Sequence, residues 1–86
     1  MNVSFTENGW EDYLEWQKND KKTVKRINDL IKDISRSPFE GIGKPEQLKY
    51  ELSGKWSRRI TEEHRLVYQV ENDRIIIFTC KYHYRH

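Results

Sequence analysis

Between Lys21 and Arg36 the apolar residues Val24, Ile27, Ile31 and Ile34 recur at helical spacing, with Leu30 alongside. That period predicts one amphipathic helix whose apolar stripe must be covered by another layer of structure. Lys21, Lys22, Lys25, Arg26 and Lys32 fill much of the remaining surface. Asp20 stands where an N-cap belongs. Pro38 disfavours helix in the residue before it, so the run ends within Ser35 to Ser37.

The cover has to come from the rest of the chain. Asn2 to Phe5 alternates polar and apolar residues and predicts a short strand. Thr6 can cap a first helix, in which Trp10, Tyr13, Leu14 and Gln17 follow helical spacing. Gly9 weakens that helix by roughly 1 kcal/mol relative to Ala. Phe39 to Pro45, with Gly41 and Gly43, predicts a loop.

Strand patterning fills the second half. Leu48 to Leu52 is a weak strand, and Trp56 to Ile60, His64 to Val70 and Arg74 to Tyr84 are stronger ones. Asn72-Asp73 predicts a hairpin turn. Leu66, Tyr68 and Val70 share one face, as do Ile76, Phe78, Cys80 and Tyr82, which parity puts in the core. The expected architecture is a single α+β domain over 1–86, with two N-terminal helices on one face of a sheet. In a meander, Arg59, Arg65 and His83 project from the opposite face, and Lys81 shares the parity of His83.

With 86 residues the chain has room for one core, and its single cysteine, Cys80, cannot form an internal disulfide. No Cys/His pair has zinc-ligand spacing and the carboxylates show no ligand pattern, so neither a metal nor a cofactor is expected. Met1 to Trp10 lacks the basic start and apolar run of a signal peptide, and the longest apolar run is Ile75 to Phe78, too short for a bilayer. The expectation is a cytoplasmic protein that does not enter a membrane. The net charge is only +2. Its distribution is uneven: Glu7, Glu11, Asp12 and Glu15 lead the chain, and basic residues dominate from Lys18 to Arg36. Solvated helix faces produce the same pattern, so charge alone does not establish a polyanion partner.

The residue types present suffice for RNA cleavage without a metal. A base takes the 2′-hydroxyl proton, an acid protonates the departing 5′-oxygen, and cations stabilise the charged phosphorus centre. Glu46, Lys49, Arg59, Arg65, His83 and Tyr84 offer a base, cations, an acid and an aromatic ring. Each also has an ordinary explanation. Glu46 follows Pro45 in a charged loop, the two arginines suit exposed strand positions, His64 adjoins a turn on the surface, and His83 lies near the chain end. Trp10, Trp16 and Trp56 suit core or interface anchors, and Cys80 a buried apolar strand.

An ordered set of motifs goes further. Pro38-Phe39-Glu40-Gly41, Gly43-Lys44-Pro45-Glu46, Leu52-Ser53-Gly54, Trp56-Ser57-Arg58-Arg59-Ile60, Glu63-His64-Arg65-Leu66-Val67-Tyr68 and Tyr82-His83-Tyr84 follow one another. In this the chain closely resembles the YoeB toxins of the RelE/ParE superfamily over nearly its whole length. The resemblance implies a RelE-like microbial ribonuclease fold, with helices on a mainly antiparallel sheet. It implies metal-independent cleavage of mRNA in the ribosomal A site, with inhibition of translation, and neutralisation by a YefM-like antitoxin. Residue by residue, it implies a general base at Glu46, a general acid at His83 and a phosphate-stabilising arginine at Arg65. Lys49 and Arg59 match supporting basic positions, and Tyr84 matches a tyrosine that orients substrate. Such toxins commonly end at the position of Tyr84, whereas Arg85 and His86 follow here. A homodimer is left open. The competing expectations are a ParE-like toxin that binds a protein target and an inactive RNA-binding module.

Overall fold

The structure, a computed structural model, describes residues 1–82. Its elements are β1 (Asn2–Phe5), α1 (Glu7–Asn19), α2 (Lys21–Arg36), β2 (Glu46–Gln47), β3 (Trp56–Arg59), β4 (Arg65–Glu71) and β5 (Arg74–Thr79). The strands form one sheet in the order β1-β5-β4-β3-β2, parallel between β1 and β5 and antiparallel elsewhere. Among the described residues no helix is long and apolar enough to cross a membrane.

Two polar residues punctuate the helical half. The Thr6 hydroxyl accepts the Gly9 N–H at 3.1 Å and donates to the Phe78 carbonyl, so it starts α1 and ties it to β5. Asp20 ends one helix and begins the next: its N–H donates to the Trp16 carbonyl, and its carboxylate accepts from the Thr23 N–H and hydroxyl. Those Thr23 bonds hold the Asp20 carboxyl below its ordinary range.

Gly9, a weakness by helix propensity, is required by packing. A Cβ at this buried position would lie 2.4 Å from the Ile77 carbonyl oxygen. Gly9→Ala is therefore expected to lose about 1–3 kcal/mol of stability through overpacking, despite alanine's better propensity. A denaturation midpoint at or above the parental one would show that α1 can lift from β5 freely.

The buried stripe of α2 is Thr23, Ile27, Leu30 and Ile34, while Val24 and Ile31 are half-buried. The helix is thus turned relative to the expected Val24–Ile27–Ile31–Ile34 face, and Val24 borders a groove with Gln17, Lys21, Lys25 and Asn28. The core joins Ile27, Leu30 and Ile34 to Ile60, Leu66, Tyr68, Ile75, Ile77 and Cys80. Trp16 and Trp56 pack against it, whereas Trp10 is half-exposed and stacks on Tyr13.

Three strand expectations need correction. The weak strand at Leu48 to Leu52 is instead β2 at Glu46–Gln47 followed by a 3-10 turn at Tyr50–Leu52; Tyr50 has φ +59°, which an extended strand does not accommodate. The last strand ends at Thr79, not Tyr84. The face assignment within it holds for Cys80 but not for Ile76, Phe78 and Tyr82, because the β4–β5 register jumps from Tyr68↔Ile77 to Val67↔Thr79 and leaves Phe78 as an extra residue. The bulge changes parity, so Ile75 and Ile77 enter the core before it and Cys80 after it. Ile76 and Phe78 are only partly buried, and Tyr82 is half-exposed rather than a core residue. The hairpin at Asn72-Asp73 is as expected, with φ +51° and +60° at its two central residues.

Arg58 on β3 is fully buried and uses all five of its N–H donors. Nε donates to the Tyr68 hydroxyl, one terminal nitrogen to Asp33 Oδ2 (2.6 Å) and the Ile42 carbonyl, the other to the carbonyls of Ser37 and Glu40. The Tyr68 hydroxyl donates to the Pro38 carbonyl. This network pins the 37–43 loop to the core and thereby sets where the chain enters β2 and Glu46. Gly41, with φ +125°, allows the approach: a Cβ there would lie 2.0 Å from Asp33 Oδ2.

Candidate functional site

Register determines which residues share the sheet face away from the helices. Glu46 pairs with Ser57, Ser57 with Val67, and Arg59 with Arg65. Paired residues share a face, as do residues two apart along a strand. Glu46, Arg59 and Arg65 therefore stand on one face, with the buried Ser57 and Val67 as its floor. The opposite face carries Arg58, Ile60, Leu66 and Tyr68 toward the helices.

Directly opposed arginines repel, and such a pair is destabilising unless an anion lies between or above them. Arg59 is exposed, and its side chain makes no hydrogen bond or ion pair among the described residues. Its main chain is tied down instead: its N–H donates to the Gly43 carbonyl, and its carbonyl accepts from Arg26 at 3.0 Å. Arg65 is half-buried, and its Nη1 donates to the carbonyls of Thr61, Glu62 and His64. Its Nε and Nη2 make no hydrogen bond among the described residues. Glu46 is exposed and likewise has no ion pair there. Lys49 is exposed at the head of the 3-10 turn, three positions after Glu46; register does not place it on the arginine face.

His83 and Tyr84 lie outside the described residues. Tyr82, just before them, is held against β4: its N–H donates to His64 Nδ1 at 2.7 Å, and its carbonyl accepts the Arg65 N–H at 3.0 Å. Helix α1 grips the chain slightly earlier. Asp12 accepts from the Thr79 hydroxyl and the Cys80 N–H, Trp16 Nε1 donates to the Cys80 carbonyl, and Glu15 pairs with Lys81. Burial, with the Asp12 carboxylate adding to it, pushes the Cys80 thiol up to about 12, so it remains protonated and unreactive.

His64 is therefore not the surface residue expected beside a turn. Its side chain is 13% exposed and its ring meets Trp16 edge-on at 4.8 Å. In the sequence His64 read as a surface residue and Asp12 only as part of an acidic run, because their partners lie far along the chain and no local pattern marks them. Two concave surfaces, one between the helices and one beside Asp29, Asp33, Arg36 and Ile42, are lined mainly by helix residues. Among the described residues no three His, Cys, Asp or Glu side chains gather as a metal-ligand set.

This small sheet with two helices on one face is a bacterial toxin architecture. A YoeB/ParE toxin from Agrobacterium tumefaciens superposes with a TM-score of 0.95 at 48% identity, covering 98% of this chain and 100% of that one. Toxin YoeB of Escherichia coli (strain K12) is 62% identical over 84 residues, 98% of this chain and 100% of that relative. A YoeB chain solved with YefM as a heterotetrameric toxin-antitoxin complex from Staphylococcus aureus matches with a TM-score of 0.91 and 55% identity over 98% of both chains. Residues 5–84 match the YoeB-like toxin family of bacterial type II toxin-antitoxin systems, and the chain belongs to that family.

Proposed function

We propose that this toxin is a ribosome-dependent endoribonuclease that cuts mRNA in the A site and so stops translation. The observation that carries this is the opposed Arg59–Arg65 pair beside Glu46 on an open sheet face. Repulsion between the guanidiniums is relieved when a phosphate sits over them, and a guanidinium fork matches phosphate oxygens geometrically. The catalytic parts follow the family pattern. Glu46 takes the 2′-hydroxyl proton, the 2′-oxygen attacks phosphorus, and His83 protonates the departing 5′-oxygen. Arg65 stabilises the charged phosphorus centre, with Arg59 and Lys49 adding positive field, and Tyr84 orients the substrate.

Proton transfer by side chains supplies both steps, so no metal is required. Cleavage is therefore expected to persist in chelator, with the ribosomes kept intact, and to leave a 2′,3′-cyclic phosphate or a 3′-phosphate. Loss of cleavage in EDTA, or a product with a 3′-hydroxyl, would exclude this chemistry.

A YefM-like antitoxin is the proposed partner, in line with the Staphylococcus aureus YoeB–YefM complex. Self-association as a homodimer is proposed on the same footing, since a YoeB dimer is known from that organism. The proposed place of action is the cytoplasm, where ribosomes and mRNA meet.

A further inference from the structure

After Thr79 the chain leaves the sheet but remains held. Asp12 and Trp16 bind both sides of Cys80, accepting its N–H and donating to its carbonyl. Two residues later the main chain of Tyr82 is bound on both sides at the start of β4: by the His64 ring at its N–H and by the Arg65 N–H at its carbonyl. Tyr82 itself has φ +60°, a left-handed conformation that residues with a Cβ rarely adopt, and its side chain is half-exposed. Apolar burial of that side chain does not account for the conformation. Hydrogen bonds on both flanks do, and backbone held in a sparsely populated conformation clusters at functional sites.

We infer that His64 is a positioning residue: by accepting the Tyr82 N–H at Nδ1 it fixes the main chain of Tyr82, the residue to which His83 is joined. This rests on the proposed role of His83 as the acid. The geometry defines the state of the ring. Nδ1 can accept only when it carries no proton, so the ring proton is on Nε2, which lies 3.7 Å from Glu63 Oε1. The edge-on contact with Trp16 and the tilted contact with Tyr82 at 5.3 Å keep the imidazole from turning over. Trp16 thus contributes twice, holding Cys80 through its indole N–H and the His64 ring through its face or edge. An acid displaced by an ångström loses much of its advantage, since the proton must pass along a hydrogen bond of defined length.

Two substitutions separate the acceptor from the ring. His64→Phe keeps a ring against Trp16 and removes the acceptor. His64→Asn loses the ring but places an amide oxygen near the position of Nδ1. Cleavage of ribosome-bound mRNA is measured for both, together with hydrogen exchange at the Tyr82 amide in the free toxin. The Phe variant is expected to lose roughly 10–100-fold in kcat with little change in KM, and to exchange the Tyr82 amide faster than the parent. The Asn variant should recover most of the kcat and the amide protection. A Phe variant with parental kcat, or an Asn variant as slow as the Phe variant, would overturn the inference. So would a Tyr82 amide equally protected in all three proteins. Failure of the unaltered toxin to cleave mRNA would instead remove the functional reading, while the amide protection still reports whether His64 holds Tyr82.

Discussion

Glu46→Ala and His83→Ala are each expected to lower cleavage of ribosome-bound mRNA by about 10²–10⁴-fold, the usual contribution of one positioned proton transfer. The fold should survive the first change. Glu46 is exposed, belongs to a two-residue strand and makes no ion pair among the described residues, so its removal orphans no described buried group. Its backbone partner Ser57 and the Arg58 network beneath are untouched. Circular dichroism beside the cleavage assay separates loss of chemistry from loss of structure. If both variants are folded and cut like the parent, the proposed acid–base pair is wrong. Poisoning without any RNA cleavage would favour the ParE-like alternative, in which a protein target is bound.

Arg58→Met should have the largest effect on stability, about 3–5 kcal/mol, because several acceptors lose a fully buried donor at once and each such loss costs roughly 1–3 kcal/mol. Methionine roughly fills the space but donates nothing. Asp33 then loses its short hydrogen bond, and the carbonyls of Ser37, Glu40 and Ile42 lose their donor. The effect has a pH signature. The Arg58 hydrogen bond, with help from the Ile42 N–H, holds the Asp33 carboxyl below its ordinary value of 3.8. A lowered carboxyl contributes stability that is complete above the unfolded value and is lost as pH falls through the folded one. Acid destabilisation below about pH 4 should therefore be steeper in the parent than in Arg58→Met. Denaturant titrations from neutral pH down to pH 3 test this. Equal acid sensitivity in the two proteins would show that Asp33 draws little from Arg58.

How much of this was legible differs element by element. The strand at Asn2 to Phe5, both caps, the second helix and the Asn72-Asp73 turn were readable because each rests on neighbours within a few residues. Parity on β3 and β4 correctly separated Arg59 and Arg65 from the helix-facing side, since those strands pair without interruption. On β5 the same rule failed. One extra residue at Phe78 shifts the facing of Thr79 and Cys80, and no composition cue marks a bulge inside an apolar run. Arg58 was recognisable as helix-facing but not as the centre of a network, because its partners come from α2, β4 and a loop. The roles of Glu46, Arg65, His83, Lys49, Arg59 and Tyr84 came from motif order rather than local chemistry. Register brings three of them to one face; it leaves Lys49 to the side, and His83 and Tyr84 lie outside the described residues.

The parallel pairing of β1 with β5 bears on how this protein is born. Strand β1 finds its partner only in β5, and Thr6 must reach Phe78, 72 residues away along the chain. Helix α1 is in the same position, since Asp12 and Trp16 close on Thr79 and Cys80. The core likewise waits for Ile75, Ile77 and Cys80. Pairings between the two ends of a chain form late, after the entropy of closing a long loop has been overcome. During translation the amino-terminal half therefore has helices but no sheet to lay them on, and the arginine face cannot assemble before β4 has left the exit tunnel. A toxin proposed to act through the arginine face is thus inert until β3, β4 and β5 have paired, whatever its helices have done by then.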